Sequence, residues 1–207
     1  MEELLKLVRH LKEEVGDLVE LRMEEFRELG RRSSREIFKE LCFCILTANF
    51  NAERSIRIQK EIGDGFLMLP EPELARRLRI LGHRYPEARA RYIVLARKYS
   101  DSLKETLSSF CSEAGAREWL ARDVKGIGYK EASHFLRNIG YRDLAIVDFH
   151  IIDILVRHGL MERPKTLTRK KYLETEDLLR EVARRSGVSL AELDLYLWFS
   201  ETGKVLK

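Results

Sequence analysis

Apolar positions recur at helical spacing along most of the chain. Leu4, Leu5, Val8, Leu11 and Val15 form one such series, and Ile37, Leu41, Cys44, Ile45 and Ala48 a second. Tyr92, Leu95, Ala96 and Tyr99, then Leu178, Leu179 and Val182, repeat the pattern further on. Steps of three and four residues place each series on one helix face. Ser33 with Glu36, and Ser189 with Glu192, have capping-box spacing ahead of apolar runs. No stretch alternates at period two for long enough to make a sheet. Pro70, Pro72, Pro86 and Pro164 fall between the helical patterns. The pattern predicts an all-α protein of roughly ten helices joined by short turns.

Composition changes this picture little. Hydrophobic residues are 44% of 207, enough for a sizeable core in one large domain or two lobes. The 38 Lys+Arg against 34 Asp+Glu leave a net charge of +4, which permits nucleic-acid binding without arguing for it. Charged residues reach 35%, a level that fits a heat-adapted source. The longest apolar run, Leu41 to Leu46, falls far short of the roughly 20 residues of a membrane span. The acidic, amphipathic start MEELLKLVRHLKEEV is neither a secretory nor a transit signal, so a cytoplasmic protein without membrane contact is expected. Cys42, Cys44 and Cys111 are too few for a four-cysteine iron–sulfur or zinc site, and are expected as buried small side chains.

Chemistry concentrates in VKGIGYKEASHFLRNIGYRDLAIVDFHIIDIL, Val124 to Leu155. This reads as a helix, a turn at Gly126-Ile127-Gly128, and a second helix from Tyr129 to about Ile139. Backbone N–H groups at such a helix start suit a phosphate, although the same turn serves equally as plain structure. Lys130 stands at the mouth of that helix. Asp148, eighteen positions on, stands at the mouth of the next, Phe149 to Val156, where an N-cap would suffice to explain it. By the residues alone, Asn49 reads as a helix C-cap, Arg54 and Arg89 as a solvated face, and Lys207 as a frayed end.

VKGIGYKEAS followed by IVDFHIIDIL resembles the helix-hairpin-helix superfamily of DNA base-excision glycosylases, in its bifunctional lysine-bearing branch. FCILTANFNAERS and LRILGHRYPEARARYIVLAR are similar to segments of its 8-oxoguanine DNA glycosylase/AP lyases, and the small size and final lysine to the compact class of archaea and thermophilic bacteria. The likeness runs from about Phe38 onward. The resemblance implies a single two-lobed helical domain over 1–207, with its cleft between the lobes, a helix-hairpin-helix at about 115–139 and a catalytic aspartate segment at 144–156. It implies excision of 8-oxoguanine opposite cytosine, followed by strand cleavage through a lysine Schiff base. Lys130 is then the nucleophile and Asp148 its catalytic partner; an ordinary lysine is neutral in only about one molecule in 2,500 at pH 7, so its surroundings must free the amine.

Further implied roles are DNA-backbone binding by Gly126, Gly128 and His150, and opposite-base or wedge contacts by Asn49, Arg54, Tyr85 and Arg89. Trp198, Phe199 and Lys207 would recognise the lesion base. No cofactor and no iron–sulfur cluster are implied, and a monovalent cation at the carbonyls near Lys125 and Ile127 is an expectation. The implied partner is double-stranded DNA containing 8-oxoguanine, met by a monomer. Ile146 departs from the proline usual two residues before the aspartate, which should change the turn and keep the chemistry. Two other functions stand beside this one: a pyrimidine-damage glycosylase of the same superfamily, and a non-catalytic helix-hairpin-helix module. The latter needs neither Lys130 nor Asp148.

Overall fold

A computed structural model describes all 207 residues, and its regular structure is entirely helical. The order is α1 (Glu2–Arg31), α2 (Ser34–Thr47), α3 (Ala52–Ile62), α4 (Gly65–Met68), α5 (Glu71–Ile80) and α6 (Pro86–Ala96). After a 3-10 turn at Arg97–Tyr99 come α7 (Leu103–Ser108), α8 (Glu113–Asp123), α9 (Tyr129–Asn138), α10 (Phe149–Arg157), α11 (Arg169–Ser186) and α12 (Leu190–Thr202). The helices beyond the expected number include α4 and α7, of one to two turns, too short to show a 3.6-residue period in sequence.

The chain forms two compact units, one of residues 28–139 and one of residues 1–27 with 140–207. In the first, α2 is the core helix, packed by α3, α6, α7 and α9. Ile37, Phe38 and the run Leu41 to Leu46 are fully buried; the six consecutive apolar residues of that run cover every side of the helix and leave none for water. Its one buried acid, Glu40, is satisfied by Asn138 Nδ2 at 2.7 Å and Gln59 Nε2 at 3.0 Å. Cys42 and Cys44 lie inside this helix, and burial pushes the Cys42 thiol well up. Cys111 departs from expectation: it is exposed, on the link between α7 and α8.

In the second unit α12 packs on α10 and α11. Ile151, Ile154, Leu155, Leu179, Val182, Leu193 and Leu197 supply its apolar centre. Within α1, Val15 has non-helical φ −130° and ψ 16°, yet Leu4, Val8, Leu11, Val19 and Met23 continue one buried stripe across the kink. Ser189 and Glu192 complete a reciprocal capping box. Ser33 makes only its half, accepting from Glu36 N–H at 3.4 Å, because the Glu36 carboxylate pairs with Lys39 instead. No helix is long and apolar enough to cross a membrane.

Candidate active site

In the unit of residues 28–139, α8 gives way to a turn closed by Ile127 N–H donating to the Val124 carbonyl at 3.2 Å. Gly126 occupies its third position with φ 88°, and a Cβ there would fall 2.4 Å from Tyr92 Cδ2. Glycine is required on both counts. Gly128, by contrast, has ordinary extended backbone (φ −101°), so only one of the two glycines uses its conformational freedom. Gly128 has no side chain with which to cap α9. Instead Glu131 Oε2 accepts from Gly128 N–H at 3.3 Å, while Oε1 lies 3.2 Å from Lys130 Nζ. Lys130 is therefore held over the first turn of α9, partly shielded and paired.

The residues around Lys130 are fixed from α8. Arg117, 1% exposed, lays its guanidinium 5.0 Å from the Tyr129 ring centre and donates to Ser133 Oγ at 3.4 Å. The Tyr129 hydroxyl donates to Glu118. The start of α9 is thus gripped on both sides of the lysine.

The same unit carries a second group. Asn49, beyond the end of α2, has φ 57°, a left-handed conformation that asparagine tolerates better than other side chains. Arg89 is buried, where sequence alone suggested a solvated face, and burial lowers its pKa. Its Nη2 donates to the Ala48 carbonyl, and its guanidinium stands 5.7 Å from the Tyr85 ring and 5.8 Å from that of Tyr92. Tyr85, at the N-cap of α6, is partly exposed, with Arg84 5.0 Å from its ring. His83 joins the two segments: Nε2 meets the Leu46 carbonyl at 3.0 Å, and Nδ1 accepts from Tyr85 N–H at 3.0 Å. Arg54 is exposed in the first turn of α3, its own N–H capped by Asn51 Oδ1 at 2.9 Å. Contacts join the Asn49 loop, Tyr85 and Arg89; Arg54 is not among them.

In the other unit, the chain before α10 runs buried from Leu144 to Val147, strapped to α11. The Tyr172 hydroxyl donates to the Ala145 carbonyl at 2.7 Å and accepts from Val147 N–H at 3.3 Å. Glu176 Oε2 accepts from Ala145 N–H at 2.8 Å, and Arg180 pairs with Asp143. Residues 172, 176 and 180 share one helix face at i, i+4 spacing. Ile146, where the resemblance expected proline, is buried within this strap. The strap delivers Asp148 to the N-cap of α10, where Oδ1 accepts from Ile151 N–H at 3.0 Å.

His150, exposed on the first turn of α10, meets the half-buried Trp198 edge to face with ring centres 5.1 Å apart. Phe199 is half-buried beside it in sequence, so neither aromatic is full core. The chain turns at Gly203, φ 68°, and Arg22 Nη2 donates to the Val205 carbonyl at 3.3 Å, which ties the tail to α1. Lys207 is half-buried at its end. No group of three or more His, Cys, Asp or Glu is placed to hold a metal.

The family model of 8-oxoguanine DNA glycosylase, helix-hairpin-helix type, matches residues 19–188. This chain belongs to the 8-oxoguanine DNA glycosylase family. An 8-oxoguanine DNA glycosylase/AP lyase of Methanocaldococcus jannaschii is 54% identical over 99% of both chains, and one of Thermotoga maritima is 51% identical over the full length of both. The crystal structure of the Methanocaldococcus glycosylase/lyase in complex with a 15mer DNA containing 8-oxoguanine matches with TM-score 0.96, covering 99% of this chain and 100% of that one. That of the Thermotoga enzyme matches with TM-score 0.94 over the whole of both chains. A trapped endonuclease III–DNA covalent intermediate, 17% identical, matches with TM-score 0.64, covering 100% of this chain and 89% of that one, and shares the fold. The enclosing family also supplies the enzyme class: its curated members are glycosylases with AP lyase activity.

Within this family member, the elements place Lys130 and Asp148 at the starts of α9 and α10, as their spacing implied. What sequence reading missed are the supports. Glu131 is local, three residues after Gly128 and next to Lys130, whereas Arg117 and His83 act through contacts that only the fold brings together. Tyr172 and Glu176 had a signal, a polar i, i+4 pair on an otherwise amphipathic helix, which ordinary solvent exposure would also explain.

Proposed function

We propose that this chain releases 8-oxoguanine from duplex DNA, acting opposite cytosine as a monomer, and cleaves the strand through a Schiff base on Lys130. The neutral Lys130 amine attacks C1′; the C1′–N9 bond breaks and the base leaves with a proton. Opening of the sugar ring converts the adduct to a Schiff base. Loss of a C2′ proton then expels the 3′ phosphate, and hydrolysis returns the lysine. Asp148 stabilises the cationic sugar as the glycosidic bond breaks, a role that a fixed carboxylate performs at low reorganisation cost.

The exposed hairpin at Lys125 and Gly128, with His150, binds the DNA backbone. The turn's own hydrogen bond uses the Val124 carbonyl, so Lys125 and Ile127 supply the carbonyls a monovalent cation would use there. Tyr85 wedges the stack, and Asn49 and Arg54 meet the orphaned base. Arg89 acts from inside, holding their loop through Ala48. Trp198, Phe199 and Lys207 read the lesion. The observation that carries the reading is Lys130 seated at a helix start whose hairpin requires Gly126, in a chain 54% identical to a glycosylase/lyase solved with 8-oxoguanine DNA.

A substrate panel tests it: duplexes with 8-oxoguanine opposite each base, with thymine glycol, and with no lesion. Strand cleavage fastest at 8-oxoguanine opposite cytosine is expected. Preference for thymine glycol would favour a pyrimidine-damage enzyme, and binding without cleavage a non-catalytic module.

A further inference from the structure

His83 is a buried imidazole that the chemistry above does not use. It follows α5 and precedes α6, on a link held by its own N–H donating to the Leu78 carbonyl at 2.9 Å. Only 4% of it is exposed. Because Tyr85 N–H donates to Nδ1 at 3.0 Å, that nitrogen carries no proton, and Nε2–H must be the donor to the Leu46 carbonyl at 3.0 Å. The Phe50 ring lies over the imidazole, with centres 4.2 Å apart and planes tilted by 36°. One side chain therefore touches the end of α2, the loop bearing Asn49 and the backbone of Tyr85. Burial and the charge of Arg89 on α6 both push its pKa down, in keeping with a neutral ring.

We propose that His83 is a positioning residue for base extrusion, setting Tyr85 against the loop of Asn49 so that wedge and gap-filling groups enter the duplex as one unit. The inference rests on the proposed wedge role of Tyr85. A rigid support is what such a role needs, since a misplaced wedge loses its effect within about 1 Å.

Two substitutions separate the bonds. His83→Gln keeps an N–H near Nε2 for Leu46 and loses the acceptor for Tyr85 N–H. His83→Asn keeps an acceptor near Nδ1 and loses the donor to Leu46. Phe50→Leu removes only the stacking ring and is the mildest variant. Each is compared with Tyr85→Ala on an 8-oxoguanine duplex and on a single-stranded abasic oligonucleotide, which has no stack to wedge. Extrusion is followed separately by fluorescence of 2-aminopurine placed beside the lesion.

The expected result is a loss of about tenfold in duplex turnover for both His83 variants, with a weaker 2-aminopurine signal and single-strand cleavage unchanged. Phe50→Leu should show the same selective pattern more weakly. If Tyr85→Ala shows the selective loss and the folded His83 and Phe50 variants do not, the positioning role is wrong while the wedge stands. If Tyr85→Ala also lacks it, the wedge reading fails and takes this inference with it. Parallel losses on both substrates would make His83 a purely structural residue and overturn the proposal.

Discussion

Asp148→Asn separates the helix cap that this carboxylate forms from the catalytic role proposed for it. As the N-cap of α10, Asp148 Oδ1 accepts from Ile151 N–H at 3.0 Å, a bond that an asparagine carbonyl can replace. Asparagine and aspartate are near-equal N-caps, so the variant loses only the interaction of the charge with the helix dipole, about 0.3–1 kcal/mol. In a chain of this size that is a fall of roughly 1–4 °C in Tm. Asp148→Ala removes the bond as well, at about 1 kcal/mol more, and should melt lower by a few further degrees. Turnover should follow a different order. Both variants lose the carboxylate proposed to stabilise the developing cation, a role worth about 3–4 kcal/mol, or roughly a hundred- to a thousandfold in rate. Single-turnover excision of 8-oxoguanine, set beside calorimetric melting of the same preparations, reads both quantities. An Asp148→Asn protein that melts normally and turns over within a few-fold of the wild type would refute the catalytic role and leave only the cap.

Removing Lys207 should spare the fold, because α12 is already closed at Gly203 and Arg22 holds the tail at Val205; excision of 8-oxoguanine should fall about ten- to a hundredfold while cleavage at a pre-formed abasic site changes little. Equal losses on the two substrates would assign the tail to general support. Gly126→Ala places a Cβ 2.4 Å from Tyr92 Cδ2 at φ 88°, and should lower stability by more than about 1 kcal/mol and weaken binding even to undamaged duplex, checked by melting and fluorescence anisotropy. Duplex affinity should fall steeply between about 50 and 200 mM salt, since phosphate contacts dominate such binding; a flat profile would contradict a backbone-bound hairpin.

Much of this was legible in the sequence, where the causes were local. The helices showed through their apolar period, and Asp148 through its place before an apolar run. Asn49 was readable as a helix end and takes the left-handed conformation such ends use. Tertiary causes were hidden. Arg89 sits on α6 where a charged side chain would ordinarily face water, and it is buried because the Ala48 carbonyl and two tyrosine rings receive it. Arg97, at the end of α6, spends its guanidinium on the carbonyls of Phe66 and Leu69 at 2.8 and 2.6 Å. Arg117 is almost wholly buried against residues 12 and 16 positions away. His83 reaches a carbonyl 37 residues back. None of these pairings leaves a periodic trace, because the partner is chosen by the packing of α2, α4, α6, α8 and α9.

In the proposed function Lys130 carries the covalent chemistry. Borohydride reduction during turnover on an 8-oxoguanine duplex, followed by peptide mapping of the trapped complex, tests it most directly. A single adduct on the peptide containing Lys130 is expected. Lys130→Gln should bind the duplex but form no adduct and release no base. Full trapping by Lys130→Gln, or an adduct mapped to another lysine or to the N-terminal amine, would contradict it.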